Sequence, residues 1–531
     1  MIDYSLYNKT DDHSYNVLCA IKHCIECGED GITFPHGEYH FYPEMASECE
    51  LCVSNHDIYG YRRIAFILSG MDNFHIDGMG STFIFHGEMM PFYINDSSNI
   101  TINNLSIEYE KNKTLQLLVT EANENYFDAE AVKDTEYYVS NGKLYIHTGY
   151  GQSDIMHSFM IRTVDNTDEY KKGTDEEFLC LNDKLRFEDI GAKKLRFHSS
   201  NLKVDAGMTL LAASNKRALC NIVINKSSHV TLDSLTMYSS YAMGVLAQVS
   251  SDITIDKMQV KAHGKELYSL SADATHFVNC YGLVKVTNSS FSNQLDDAIN
   301  VHGIFTQVTH VDDGFIIVKY MHKSAKGIDI YDAGDEICVL NPRSLVGGKH
   351  YTVKKAEAIN LNYTKLYLCE STDGITVGYD VENITKNCDL IFEGNTVKKN
   401  RARGMLVGTK GRVDIRNNYF HTSGASILFE SDGEYWFESG GTRDVRIYEN
   451  TFENCCTGPV HWGNGVIETV ARREIEEGVH YHKSICITDN KFISNTSPVL
   501  LADNIYSLTF KNNFSDRDPV YSISHCEKVD M

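Results

Sequence analysis

Three carboxylates, Asp273, Asp296 and Asp297, fall in one short stretch: Ser271-Ala-Asp-Ala-Thr-His276-Phe and then Gln294-Leu-Asp-Asp-Ala-Ile-Asn300-Val-His302-Gly303. Cleaving a glycosidic bond needs a protonated acid at the leaving oxygen and an ionised carboxylate that activates water or attacks directly. Setting Ala272-Asp273-Ala274 on Asp296-Asp297-Ala298 makes Asp273 and Asp297 equivalent positions, 24 residues apart. If the chain around them stacks in layers, they sit on adjacent coils about 4.8 Å apart at the backbone, with Asp296 alongside. Like charges so close raise one carboxyl's pKa and keep it protonated near neutrality, as a general acid must be. The spacing allows either the roughly 6.5–9.5 Å of an inverting pair or the roughly 5 Å of a retaining one.

Further residues have the right character to serve the same site. Arg401-Ala-Arg403-Gly404 occupies the corresponding part of a later coil, and Arg403 is the better placed arginine to reach the carboxylates or a sugar hydroxyl. Glu430 and Trp436 belong to a run rich in acids that holds one of only two tryptophans in the chain. Aromatic faces stack on pyranose rings while carboxylates bond their hydroxyls, which suits a sugar subsite. His276, Asn300 and His302 lie near the acids and could hydrogen-bond substrate, and either histidine could equally be structural.

These residues need a scaffold that repeats, and the sequence supplies one. Asn-Ile-Thr-Ile-Asn-Asn-Leu-Ser-Ile from Asn99, His-Val-Thr-Leu-Asp-Ser-Leu-Thr-Met from His229 and Asp-Val-Arg-Ile-Tyr-Glu-Asn-Thr-Phe from Asp444 share one template, recurring every 22 to 24 residues where uninterrupted. Each is a short alternating strand running into a polar turn, the mark of a stacked coil. The expectation is an all-β chain: a right-handed parallel β-helix with two inserted small β-barrel-like modules and an N-terminal capping helix over Ser14 to Cys27, ended by Gly28. Asn395, Asn418, Asn450, Asn490 and Asn513 share a template position and should stack as an internal amide ladder. The expected division is a cap and first coils over 1–110, an inserted β module over 111–219, coils with the aspartates over 220–304, a second inserted module over 305–388 and the last coils over 389–531. The second module begins beside the aspartates and should wall a cleft.

Composition narrows the partners. The 49 basic against 72 acidic residues give a formal charge of −23, which argues against binding nucleic acid or an anionic membrane surface and favours a neutral substrate. No run is long and apolar enough to span a membrane, and the start carries no leader-like pattern. The chain as given is therefore expected to be cytoplasmic, or secreted if a leader was removed. Fifteen cysteines, an odd number, suit buried thiols better than a disulfide framework. The pairs Cys24/Cys27 and Cys49/Cys52 are too far apart for the usual zinc ribbon, so no zinc site is expected of them.

On Ser271 to Phe277, Leu295 to Gly303, Arg401 to Val407, Asn417 to Ala425 and Trp436 to Gly440, the chain resembles glycoside hydrolase family 110, the α-1,3-galactosidases. The resemblance implies a β-helix with β-barrel modules and exo-acting removal of terminal α-1,3-linked galactose from oligosaccharides or glycans, including blood group B structures. It also implies an inverting mechanism without cofactor, and a homodimer. Carried over by position, Asp273 is the general acid, while Asp296 and Asp297 hold the water as general base. Two alternatives stay open. One is a polygalacturonase-like hydrolase, whose first coil Asp11-Asp12 and Phe34-Pro-His-Gly37 resemble, although its Arg-Ile-Lys is missing here. The other is a non-catalytic β-helix for carbohydrate binding or adhesion.

Overall fold

The computed structural model describes residues 1–531 except 57–59, 112, 133–134, 157, 163–177, 181–185, 199–203, 215, 218, 265, 459 and 471–473. Parts of the first expected module therefore lie outside the described residues. The rest is a parallel β-helix. One long parallel ladder runs through Asp72–Phe85, Ser98–Tyr109, Ser228–Met237, Ser251–Asp256, Tyr281–Thr287 and Asp389–Glu393, and on to Ile505–Lys511. Along it the apolar positions of the template stack in register, Ile100 on Val230 on Ile253 on Val284, and all four are fully buried. Period-2 alternation accounts for this: one set of side chains fills the coil interior while its neighbours face outward.

A second parallel ladder positions the acidic stretch. Its strands are β1 (Ile222–Asn225), β2 (Val245–Gln248), β3 (Thr275–Val278), β4 (Ile299–Asp312), β5 (Met405–Val407) and β6 (Ile427–Phe429), each paired with the next. The pair Glu438–Ser439, β7, crosses antiparallel over β4, Ser439 opposite Gly303. A Cβ on Gly303 would come within 2.3 Å of the Ser439 hydroxyl, so a larger residue there would have to push that side chain aside.

Two kinds of internal stack tie the coils together. Asn418 donates its amide to Asn450 at 2.9 Å, Asn450 to Asn490 at 3.0 Å and Asn490 to Asn513 at 3.0 Å, while Asn418 Oδ1 accepts the Asn395 backbone N–H at 2.8 Å. Each buried amide so finds partners on the coils above and below, and the expected ladder is present. Beside it Phe392, Phe420, Phe452 and Phe492 stack ring on ring. At the N-terminal end the helix α1 (His13–Cys27) covers the first coil, burying Val17, Ala20, Ile21 and Cys24. Asp12 caps it by accepting the Ser14 N–H, and Gly28 ends it in the left-handed region at φ 70°. Ile25, at helical spacing in the sequence, points to solvent instead.

Two antiparallel units project from this frame. In the first, Thr114–Ala122 lies between Thr209–Ala213 and Tyr126–Ala131, around Leu115, Leu117, Phe127 and Phe197. In the second, the outer half of β4 pairs in turn with Phe315–Tyr320, Tyr363–Leu368, Lys349–Asn360, Glu336–Leu340 and Asp380–Asn383, which returns to β4. This is a closed six-stranded barrel with its own core of Val308, Ile316, Val318, Ile337, Val353, Leu366 and Val381. Among the described residues no helix is long and apolar enough to cross a membrane.

Candidate active site

The turns that lead into β3, β4 and β5 bring the acidic stretch together. Because Thr275 pairs with Ile299 and Ile299 with Met405, the residues two places earlier form a column: Asp273, Asp297 and Arg403. The Asp297 backbone N–H donates to Asp273 Oδ1 at 3.3 Å. Arg403 meets Asp297 with its backbone N–H and its Nε, at 2.9 and 3.0 Å from Oδ1, and with Nη2 at 2.9 Å from Oδ2. This is a bidentate guanidinium–carboxylate pair in which Asp297 is fully buried and Arg403 stays partly exposed toward the cavity. Asp296, alongside, is gripped by Arg217 Nη2 at 2.7 Å.

Asp273 has a different partner. Its Oδ2 lies 2.5 Å from His276 Nδ1, and His276 Nε2 lies 2.9 Å from His302 Nε2. Burial first, and then the charge of Asp296, push the Asp273 carboxyl up to about 8. Burial pushes Asp297 up to about 8 as well, against the pull of Arg403. Of the two, Asp273 keeps the proton, because Asp297 has Arg403 donors around its charge. Burial, and then the neighbouring His302, hold His276 well below the usual histidine range, so it is neutral.

The column opens into a cavity of about 360 Å³, in the size range of small-ligand sites. Asp273, Asp296, Asn300, Arg403, Glu430 and Trp436 line it, as the sequence led us to expect of residues at one site. Three expected residues do not reach the wall. Asp297 stands behind it, fully buried and claimed by Arg403. His276 and His302, expected to touch substrate, are 0% and 6% exposed, because β7 crosses their face of the ladder. They stand behind Asp273 rather than beside a ligand.

The cavity also holds residues the sequence did not single out. Arg217 arrives from the chain between the first antiparallel unit and β1, Asn55 from the connection between the paired strands Ser47–Leu51 and Gly60–Ser69, and Glu438 from β7. Asn55 Nδ2 donates to Glu438 Oε1 at 2.9 Å across 383 residues of sequence, a contact no local pattern announces. Trp462 is the second tryptophan, and rarity alone could have flagged it: both tryptophans of the chain line this one cavity. The Arg401 and Arg403 guanidinium groups lie 4.8 and 5.4 Å from the Trp462 ring, and His322 of the barrel lies 4.7 Å from the Trp436 ring. The second unit thus touches the site through His322 against Trp436, while the residues that line the cavity come from outside it.

Chemically the arrangement offers a protonated carboxyl, a charged one beside it and two aromatic faces. Asp273, Asp296 and Asp297 present oxygens within 4.8 Å of one another, the group among the described residues compact enough to take a cation. Arg217 and Arg403 already bring positive charge to two of the three. The CxxC pairs form no such group among the described residues.

Known proteins resemble the chain as a whole. Residues 315–378, inside the closed barrel, match the GLAA-B beta-barrel domain II family. The chain is 30% identical over 515 residues to an alpha-1,3-galactosidase B of Akkermansia muciniphila, covering 94% of this chain and 64% of the relative. It is 29% identical over 538 residues to an alpha-1,3-galactosidase B of Phocaeicola vulgatus, covering 96% of this chain and 89% of the relative. Among solved structures an exopolygalacturonase from Thermotoga maritima superposes with a TM-score of 0.41 at 8% identity, over 97% of this chain and 91% of that one. The likeness to the galactosidases runs through the coils and the barrel alike, over more than nine-tenths of the chain, and agrees with the resemblance to glycoside hydrolase family 110.

Proposed function

We propose that the protein is an exo-acting α-1,3-galactosidase that removes terminal galactose from oligosaccharides or glycans, blood group B structures included, with inversion at the anomeric carbon. The observation that carries the reading is the pair of unlike carboxyls in one cavity: Asp273, whose burial favours the protonated form, and Asp296, held by Arg217. Asp273 donates its proton to the glycosidic oxygen as the bond to the aglycone breaks. Asp296 takes a proton from the water that attacks the anomeric carbon, and the galactose hydroxyl forms on the opposite face. Asp297 keeps Arg403 in place beneath the site. Trp436 and Trp462 supply faces for sugar rings, with Asn300, Arg403 and Glu430 available to the hydroxyls.

Inversion is the part of the reading that rests on resemblance. Nearest oxygens within 4.8 Å are closer than the roughly 6.5–9.5 Å usual between carboxyls that hold a water, and nearer the roughly 5 Å of a nucleophile pair. Proton NMR of an α-1,3-galactobioside during hydrolysis tests substrate, linkage and stereochemistry at once. We expect β-galactose to appear first; α-galactose first overturns inversion and recasts Asp296 as a nucleophile. Turnover of polygalacturonate alone would overturn the substrate class.

A further inference from the structure

Two buried histidines behind Asp273 have no part in that mechanism, and their hydrogen bonds leave little freedom. His302 Nδ1 lies 2.7 Å from the Gly303 carbonyl oxygen. A carbonyl only accepts, so this nitrogen carries a hydrogen, and in neutral His302 the Nε2 is a lone pair. That lone pair faces His276 Nε2 at 2.9 Å, which must then donate. Neutral His276 therefore presents a lone pair, not an N–H, at Nδ1, 2.5 Å from Asp273 Oδ2. Two bare acceptors at that distance repel; a carboxyl O–H resolves the contact.

We infer that His302 and His276 are positioning residues for the acid proposed above: the Gly303 carbonyl fixes the tautomer of both rings and so fixes the acid proton on Asp273 Oδ2. The inference rests on the reading of Asp273 as acid and deepens it. At rest the proton is shared with His276 Nδ1; with substrate bound it turns to the glycosidic oxygen. Once it has been donated, the Asp273 anion faces a lone pair, and the proton that Asp296 took from water returns to Asp273, leaving the enzyme unchanged after one hydrolysis.

The surrounding charges bear on this chain of bonds and have fixed places. Asp273 also faces Asp296, Arg217, Arg403 and the Cys220 thiol. On the far side Glu438 Oε1 stands 3.5 Å from His302 Nε2, itself bonded by Asn55, and His56 lies beyond.

Nitrogen-15 NMR of histidine-labelled wild-type protein, with His276 assigned by difference against His276→Asn, reads the tautomer directly. We expect His276 protonated at Nε2 and bare at Nδ1; the reverse overturns the inference. In His302→Phe, His276 loses its acceptor and is free to donate from Nδ1 to the Asp273 anion. We expect the alkaline limb of kcat/KM to move down by one pH unit or more. Turnover of an α-galactoside with a sugar aglycone should fall tenfold or more at pH 7, against less than threefold for the p-nitrophenyl galactoside, whose leaving group needs no proton. An unmoved limb, or equal losses on both substrates, overturns the inference. The nitrogen signals do not depend on turnover, so failure of the acid reading, seen as a fully active Asp273→Asn, is distinct from failure of the relay.

Discussion

Asp273 and Asp297 occupy one column and are both buried, yet the residues around them treat them oppositely. Arg403 gives Asp297 a backbone N–H and a bidentate guanidinium, so removing it strands a buried charge. We expect Arg403→Met to cost about 3–5 kcal/mol in urea unfolding, the usual toll of breaking a buried pair, and the double variant with Asp297→Asn to recover much of it. For Asp273 the sign runs with its proton. Its carboxyl is raised from 3.8 unfolded to about 8 folded, so the contribution is fully present below pH 3.8 and is lost as pH rises through about 8. Thermal melts of the wild type should therefore lose stability between about pH 4 and 8, and Asp273→Asn should flatten that slope; an identical slope in the variant would refute a buried, protonated Asp273. The Asp273, Asp297 and Arg403 column was legible because all three sit at the same template position. Arg217 and Glu438 were not, since neither lies on a recurring position and each arrives through a fold the template does not describe.

At the scale of elements, the template is also what made the strands and the asparagine ladder readable. Each coil repeats the same demand: apolar residues inward, an amide at the turn. Asn450 sits mid-ladder, accepting both the backbone and the side-chain N–H of Asn418 and donating to Asn490 and to the Ile415 carbonyl. We expect Asn450→Ala to destabilise the protein by about 2–4 kcal/mol, since it leaves buried donors without acceptors. Asn513→Ala, at the partly exposed end of the ladder, should cost clearly less, and KM should stay put in both. Equal costs would mean the ladder is ornament on a structure held by the phenylalanine stack. The barrel was harder to read: its strands alternate like any others, and only long-range pairing reveals that Asp380–Asn383 closes back on β4. The crossing of β7 was invisible for the same reason, and with it the burial of His276 and His302.

For the whole molecule, the cavity is a meeting place of distant segments. Asn55 comes from near the N-terminus, Arg217 from beyond the first antiparallel unit, the aspartates from the central coils, and Trp436 and Trp462 from the later ones, with the barrel's His322 against Trp436. None of these pieces can form the cavity alone, so a ligand that bridges them binds the folded chain and not the unfolded one. Such binding stabilises by RT ln(1 + [L]/Kd), about 2.7 kcal/mol at a hundredfold excess over Kd. The formal charge of −23 sets which sugar should do this. A neutral hexose meets no long-range penalty, whereas a uronate is repelled before it arrives. We therefore expect galactose, the product of the proposed reaction, to raise the midpoint of thermal unfolding in a saturable way that changes little between low and high salt. Galacturonate should fail to do so at low salt. Replacing Trp436 and Trp462 by alanine removes both ring faces while leaving the coil core untouched, and should abolish the galactose shift. If galacturonate stabilises and galactose does not, the cavity is built for an acidic sugar and the proposed substrate is wrong.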